Sequence, residues 1–493
     1  MRESGILMHI TSLPGAYGVG TLGKEAREFV DFLHEAGQCC WQLLPVGPTG
    51  YGNSPYQSCS AFAGNPYLVD PALLAEEGLL TREELLEAQA PAGERVDFGW
   101  LYQTRTDLLR KAFDRFMPDE GYREFCAEAS GWLPDYALYQ ALKTKFGGKA
   151  WYDWEEGLKF RDPEAIWSAR RELAGEIRLH SFIQYRFFLQ WEALHRYAAE
   201  KGVSLIGDLP IYVPLDSVDV WTDPELYQLD ESRTPTAVAG CPPDAFTADG
   251  QLWGNPLYRW DLMEQQGFVW WIRRLDAAGK RFDRIRFDHF RGLESYWAVP
   301  WGEATARNGK WVKGPGHKFV EAVKKSLPEL SIIAEDLGYL TEEVLELRRA
   351  SGWPGMKVLQ FAFDSREPSD YLPHSYTPDS VCYTGTHDNV TMGQWLDTAA
   401  SEAVAYAREY LCLTEAEGMV RGCVRAAMAS VSGLCVIPMQ DWLGLGGEAR
   451  MNFPGTLSDS NWTWRIKDGI ITDNLAQQIR HMTALYGRNI NMR

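Results

Sequence analysis

The sequence lacks the cysteine pattern of a disulfide framework. Its 9 cysteines are odd in number, Cys39 and Cys40 are adjacent, and no C-x-x-C pair or zinc-type spacing occurs. Reduced, mostly buried thiols are expected, with no metal and no disulfide holding the fold. No apolar run approaches the roughly 18 residues of a membrane helix. The opening MRESGILMHITSLPG lacks a long apolar segment with a cleavage site, so a cytoplasmic location is expected. A basic surplus is also missing: 49 Lys and Arg stand against 67 Asp and Glu, a net charge of −18. Nucleic acid therefore has no electrostatic support as a partner. Low-complexity linkers and repeats longer than one strand–helix unit are absent, and no feature fixes an oligomeric state.

What is present in quantity is aromatic: 20 Trp, 22 Tyr and 21 Phe. Such rings either stack on the apolar faces of sugars or fill a large core, and composition leaves both readings open. The 493 residues suffice for two or three average domains or for one large α/β barrel.

Eight short apolar runs decide between these. They are GILMHITSLPG (5–15), CWQLLPVGP (40–48), VSLIGDLPIYV (203–213), FDRIRFDHFRG (282–292), LSIIAEDLG (330–338), MKVLQFAFD (356–364), SVCYTGTHDN (380–389) and GLCVIPMQDWLG (433–444). Helical patterns lie between most of them, at 24–37, 178–202, 268–281, 317–327, 341–352 and 415–433, with a last one at 472–488. The pattern at 341–352 has Thr341 as N-cap and Gly352 as stop signal. Alternating strands and helices give parallel pairing with right-handed crossovers. Eight units predict an α/β fold of the (β/α)8 TIM-barrel type, with a doubly wound open sheet as competitor. One catalytic barrel domain would span 1–493, with inserted subdomains near 50–177, 214–262 and 293–316. All three insertions follow strands, so they should gather at the C-terminal face, where barrel active sites are built.

Polar residues cluster at the ends of these runs: Asp208; Arg286, Asp288 and His289; Glu335 and Asp336; His387, Asp388 and Asn389. One carboxylate at one strand end serves as readily for a helix N-cap. Carboxylates at four strand ends of one barrel converge on a single cavity. In RIRFDHFRG the alternation points Arg286 and Asp288 the same way, into that cavity, and turns Ile285 and Phe287 to the helical layer. Asp336 alternates away from Glu335, which favours a structural role, as does the flanking position of His289 and Arg291. GLGGEA (444–449) fits a relaxed dinucleotide fingerprint. It lacks the following strand and the acidic residue of a nucleotide site, so no cofactor is expected. Cys59 and Cys241 have no His or cation nearby in sequence and are not expected to be nucleophiles.

Three carboxylates with an Arg, a His and abundant aromatics suit glycoside chemistry. One carboxylate attacks the anomeric carbon; another protonates the leaving oxygen and later deprotonates the acceptor. Arg286, two residues before Asp288 on the same face, offers Asp288 a cation, and Glu335 has none beside it in sequence.

The motifs DLPIYV, RFDHFRG, AEDLG and THDN together resemble the α-amylase superfamily. SLPGAYGVGTLG, YGNSPYQSCSAFAGNPYLVD, PPDAFTADGQLWGNPLY, FDHFRGLESYWAVP and GEARMNFPGT narrow the resemblance to the 4-α-glucanotransferases, over Leu13 to Trp464. That resemblance implies a retaining transfer of an α-1,4-glucan segment to the 4-hydroxyl of an acceptor glucan or glucose, with maltooligosaccharides as donor and acceptor. It implies Asp288 as nucleophile, Glu335 as general acid/base and Asp388 as the carboxylate gripping sugar hydroxyls. Asp208, Arg286 and His387 match positions around the sugar at the scissile bond. Ser54 and Tyr56 match the donor side, Gln251 and Trp253 a flexible loop over the acceptor side, and Phe361 the acceptor border. Tyr51 matches a secondary glucan contact. Ala245 departs from the pattern, standing where relatives often carry an aromatic. An α-glucan hydrolase with the same carboxylates, or a non-catalytic glucan-binding protein, are the alternatives.

Overall fold

The computed structural model describes residues 2–90, 93–243, 248–338, 340–364 and 369–488. Among these lie twelve strands. They are β1 (Glu3–Leu7), β2 (Cys40–Gln42), β3 (Ser204–Leu209), β4 (Ala237–Cys241), β5 (Gln251–Pro256) and β6 (Arg284–Phe287), then β7 (Ser295–Pro300), β8 (Lys310–Lys313), β9 (Ile332–Ala334), β10 (Gly355–Val358), β11 (Ser380–Tyr383) and β12 (Leu434–Pro438). Eight of them close a parallel barrel in the order β1-β12-β11-β10-β9-β6-β3-β2. Each apolar run of the sequence supplies one barrel strand. The first strand pairs with the last, Glu3 opposite Leu434 through Leu7 opposite Pro438, which excludes the open sheet.

Helices such as Lys24–Glu35, Ala174–Glu200, Val269–Arg281 and Gly316–Ser326 cover the outside. In Val269–Arg281 the buried residues Trp270, Trp271, Arg274, Leu275 and Ala278 recur at helical spacing and face the barrel. The helix Glu342–Ser351 stops at Gly352, whose φ of 72° suits glycine. Thr341 stands at its N-cap position, but its side chain accepts no backbone N–H there.

The strand RIRF sorts its side chains as alternation requires. Ile285 and Phe287 are buried, and the Phe287 ring lies 5.5 Å from Trp271 and 6.2 Å from Phe319, on two covering helices. Burying such a side chain fully contributes roughly 1.5–3 kcal/mol. Arg284 and Arg286 point inward. Arg284 donates to Glu3 Oε1 at 2.9 Å, and since β1 and β6 are not neighbours this pair crosses the barrel interior below the site. On β3 a Cβ at Gly207 would meet the Phe282 ring at 2.2 Å, so glycine admits the packing that seats Asp208 next to it.

Residues 50–177 are mainly helical, with Phe98–Arg115, Leu133–Lys145 and Pro163–Glu172 as main elements. Trp151 and Trp154 are core residues there: Trp154 packs on Trp221 at 5.4 Å and on Tyr139 at 5.6 Å. The stretches 214–262 and 293–316 fold together. Strands β4 and β5 from one and β7 and β8 from the other make a single antiparallel sheet in the order β5-β4-β7-β8. Among the described residues no helix is long and apolar enough to cross a membrane.

Candidate active site

The polar residues meet at the C-terminal ends of β3, β6, β9 and β11. Asp208 and Arg286 are register partners on adjacent strands. Arg286 Nη1 donates to both Asp208 oxygens, at 2.8 and 2.7 Å, and to Asp288 Oδ1 at 2.8 Å. Tyr56 donates its hydroxyl to Asp208 Oδ2 at 2.8 Å. The Asp208 side chain is 0% exposed and that of Asp288 26%. The guanidinium thus joins a sealed carboxylate to one a substrate can reach. Burial works against its charge, but Asp208 and Asp288 raise the pKa of Arg286 well above its usual range.

Glu335 follows β9, whose Ala334 is paired with Phe287 of β6, so Glu335 and Asp288 emerge side by side. The backbone N–H groups of His289 and Leu337 donate to its two oxygens at 2.7 and 2.9 Å. These bonds favour the carboxylate. Burial outweighs them, and with Asp288 also raising and Arg286 lowering, the pKa of Glu335 is pushed up to about 8. His289 adopts φ 53° and ψ 48°, a left-handed conformation uncommon outside glycine. Strain of that kind costs on the order of 1–3 kcal/mol and here aims an N–H at the acid. Its ring stands edge-on to Trp253 at 4.8 Å, and burial brings its pKa down to about 4.

The third carboxylate is held from two sides. Asn452 Nδ2 donates to Asp388 Oδ1 at 2.6 Å, and His387 Nε2 lies 3.3 Å from Oδ2. Burial opposes ionisation, but His387, Asn452 and Arg286 hold Asp388 down at about 2. His387 shows the complement: burial lowers its pKa, and Asp388 more than restores it. The His387 ring stacks on Tyr56 at 5.1 Å, with Trp462 at 5.9 Å.

The remaining expected residues fall around this centre. Ser54 Oγ accepts the Tyr56 N–H at 3.2 Å, so it caps the turn that carries Tyr56. Trp253 Nε1 donates to Gln251 Oε1 at 3.1 Å. Their segment QLWGNP is strand β5 rather than the flexible loop expected, because β4 supplies it with a hydrogen-bonding edge. Phe361 ends the turn after β10, edge-on to Tyr371 at 5.5 Å. Asp336 accepts the Met356 N–H at 2.7 Å and pairs with Arg348, a structural position. Arg291 turns to Ser295 and lies over the Trp311 ring at 4.0 Å. Ala245 lies outside the described residues, and of Tyr51 only the backbone, in the turn Tyr51–Asn53, is described.

Three participants escaped the sequence reading: Arg450, Asn452 and Trp462. Arg450 Nη2 donates to the Asp388 carbonyl at 3.1 Å. Arg450 and Asn452 sit in GEARMNFPGT, where an Arg and an Asn in a Gly- and Pro-rich stretch after the last strand were the available signal.

The sequence profile of 4-alpha-glucanotransferase matches residues 8–472. The chain belongs to that family. A 4-alpha-glucanotransferase of Clostridium butyricum is 47% identical over 486 residues, covering 98% of this chain and 100% of the relative. One of Thermus thermophilus is 47% identical over 494 residues, covering 98% of each chain. The amylomaltase of Streptococcus agalactiae, solved in complex with acarbose, superposes with a TM-score of 0.97 at 41% identity, over 99% of this chain and 100% of that one. Like these 4-alpha-glucanotransferases, the protein is an enzyme of glycosyl transfer, a reading favoured over the hydrolase.

Proposed function

We propose that this 4-alpha-glucanotransferase works through Asp288 as nucleophile and Glu335 as acid and base, on α-1,4-glucans and maltooligosaccharides. One observation carries the assignment. Two carboxylates emerge side by side from β6 and β9 with different partners: Asp288 is bonded to a guanidinium, while Glu335 accepts only backbone N–H groups and, with its pKa pushed up to about 8 by burial, retains a proton near neutral pH. Pairs whose environments diverge in this way divide acid and nucleophile roles. Tyr56, Asp208, Arg286, His387 and Asp388 surround the donor sugar, and Asp388 accepts from its hydroxyls. Glu335 gives its proton to the glycosidic oxygen as Asp288 bonds to the anomeric carbon and the leaving glucan departs. A second glucan then offers its 4-hydroxyl, Glu335 takes that proton, and the oxygen displaces Asp288 with net retention. Trp253 flanks the nucleophile through His289 and closes the acceptor side against water.

Pure maltotriose tests the reading. Glucose plus a ladder of longer maltooligosaccharides, with reducing ends nearly constant, is expected. A steady gain of reducing ends, with no product longer than three sugars, would reject transfer.

A further inference from the structure

Behind His387 the barrel mouth contains a small cavity, lined by apolar and polar groups together, between the ends of β1, β11 and β12. Its water-accessible volume is about 30 Å³, and His9, Ser12, His387, Asp441 and Arg450 are among its lining residues. A buried water needs only some 10–15 Å³ of such space, with two or more polar partners. Most polar groups of the lining are already satisfied. Asp441 accepts from Thr384 Oγ1 and from the Met392 N–H, at 2.5 and 2.7 Å. Arg450 is committed to the carbonyls of Asn452 and Asp388. Two groups are not satisfied. His9 Nδ1 and Ser12 Oγ are buried without a hydrogen-bond partner, in residues 5% and 0% exposed. Unpaired buried polar atoms are few in folded proteins, and a pair lining one water-sized cavity calls for a ligand.

The position of His9 says what the ligand does. β1 ends at Leu7, and His9 precedes the turn Ile10–Ser12, which returns both residues to the cavity. His387 uses Nε2 on Asp388, and its rings of contact are Tyr56 and Trp462. The charged and titratable groups acting on it are Asp388, Asp208 and Arg286, with Arg450, Asp441 and His9 across the cavity. A charged imidazole has a second N–H to satisfy.

We propose that ordered water in this cavity, held by His9 Nδ1 and Ser12 Oγ, accepts from the second N–H of His387 and makes His9 a positioning residue for the His387–Asp388 pair. The polarity is consistent throughout. Burial first, and then the nearby His387, bring the pKa of His9 down to about 3, so His9 stays neutral and offers Nδ1 as an acceptor. The water accepts a hydrogen bond from the His387 N–H and donates one to His9 Nδ1, with Ser12 completing its coordination. The inference rests on the reading that His387 and Asp388 grip the donor sugar.

The test compares His9→Leu, which keeps bulk and removes the acceptor, with His9→Asn, which keeps a polar atom near Nδ1. In His9→Leu, kcat for maltotriose should fall about tenfold with KM nearly unchanged. His387, followed by NMR of histidine-labelled enzyme, should titrate about one pH unit lower, the scale of one hydrogen bond to a charged group. His9→Asn should recover most of both, and Tm should be similar in all three proteins. Wild-type kcat and an unshifted His387 in His9→Leu would overturn the inference. So would an Asn variant no better than Leu, or losses that merely track Tm. If His387→Asn were itself harmless, the underlying reading of the His387–Asp388 pair would fail; a damaging His387→Asn with a harmless His9→Leu would sink only the present inference.

Discussion

Burial of Glu335 sets an alkaline limit on donor cleavage. With its pKa at about 8, roughly nine in ten molecules hold the proton at pH 7 and roughly one in ten at pH 9. An ordinary glutamate would be protonated in under about 1% of molecules at pH 7. The kcat/KM profile reports the free enzyme. Measured with maltotriose between pH 6 and 10, it should bend near pH 8 and then fall about tenfold per unit. An α-glucosyl fluoride supplies the control, because fluoride leaves without a proton; its kcat/KM should lack the bend. The same group leaves a mark on stability. Its folded pKa lies above the unfolded value, so its support for the fold is complete below about pH 4.5 and is lost as pH rises through about 8. At 1.36 kcal/mol per unit the loss is at most about 5 kcal/mol, and partial exposure of the residue reduces it. Glu335→Gln removes this titration, so the Tm of the variant should gain on wild type between pH 5 and pH 9. A maltotriose profile flat to pH 9.5, or the same bend with both donors, would refute the reasoning.

Asp288→Asn should form no glycosyl-enzyme by mass spectrometry and should lose roughly three or more orders of magnitude in rate, since the covalent route is gone. Arg286→Met would leave Asp208 sealed without its cation and should cost roughly 3–5 kcal/mol in urea denaturation, partly recovered by adding Asp208→Asn. Trp253→Ala should raise the share of hydrolysis in a maltotriose digest more than it slows donor cleavage, because the indole packs on His289 beside the nucleophile.

Much of the site was legible because barrel strands carry their chemistry at one end. Asp208, Arg286, Asp288, Glu335 and Asp388 each sit at or just past the end of an apolar run, and run length and alternation are local properties of the chain. What was not legible depends on non-local partners. GQLWGNP looks like a hinged loop because two glycines bracket its aromatic. Its residues QLWGNP are a strand because β4, itself anchored on β7, supplies their edge. Asn452 and Arg450 reach Asp388 from a stretch without periodicity, so their composition could flag them but not name the carboxylate they reach. The cap expected at Thr341 failed for a small-scale reason: its position is correct but its hydroxyl does not accept from the helix.

The sequence by itself determined the eight-stranded barrel, the carboxylates at its mouth and the alternation of RIRFDHFRG. Periodicity of two and of 3.6 is written residue by residue. Only the tertiary structure decided that 214–262 and 293–316 are one sheet, since antiparallel pairing joins segments that share no local pattern. It alone decided that Glu335 keeps its proton near neutral pH. Protonation depends on how much protein surrounds a group and on which cations lie within a few ångströms. Glu335 keeps its proton because burial outweighs both Arg286 and the two backbone N–H groups that favour its carboxylate.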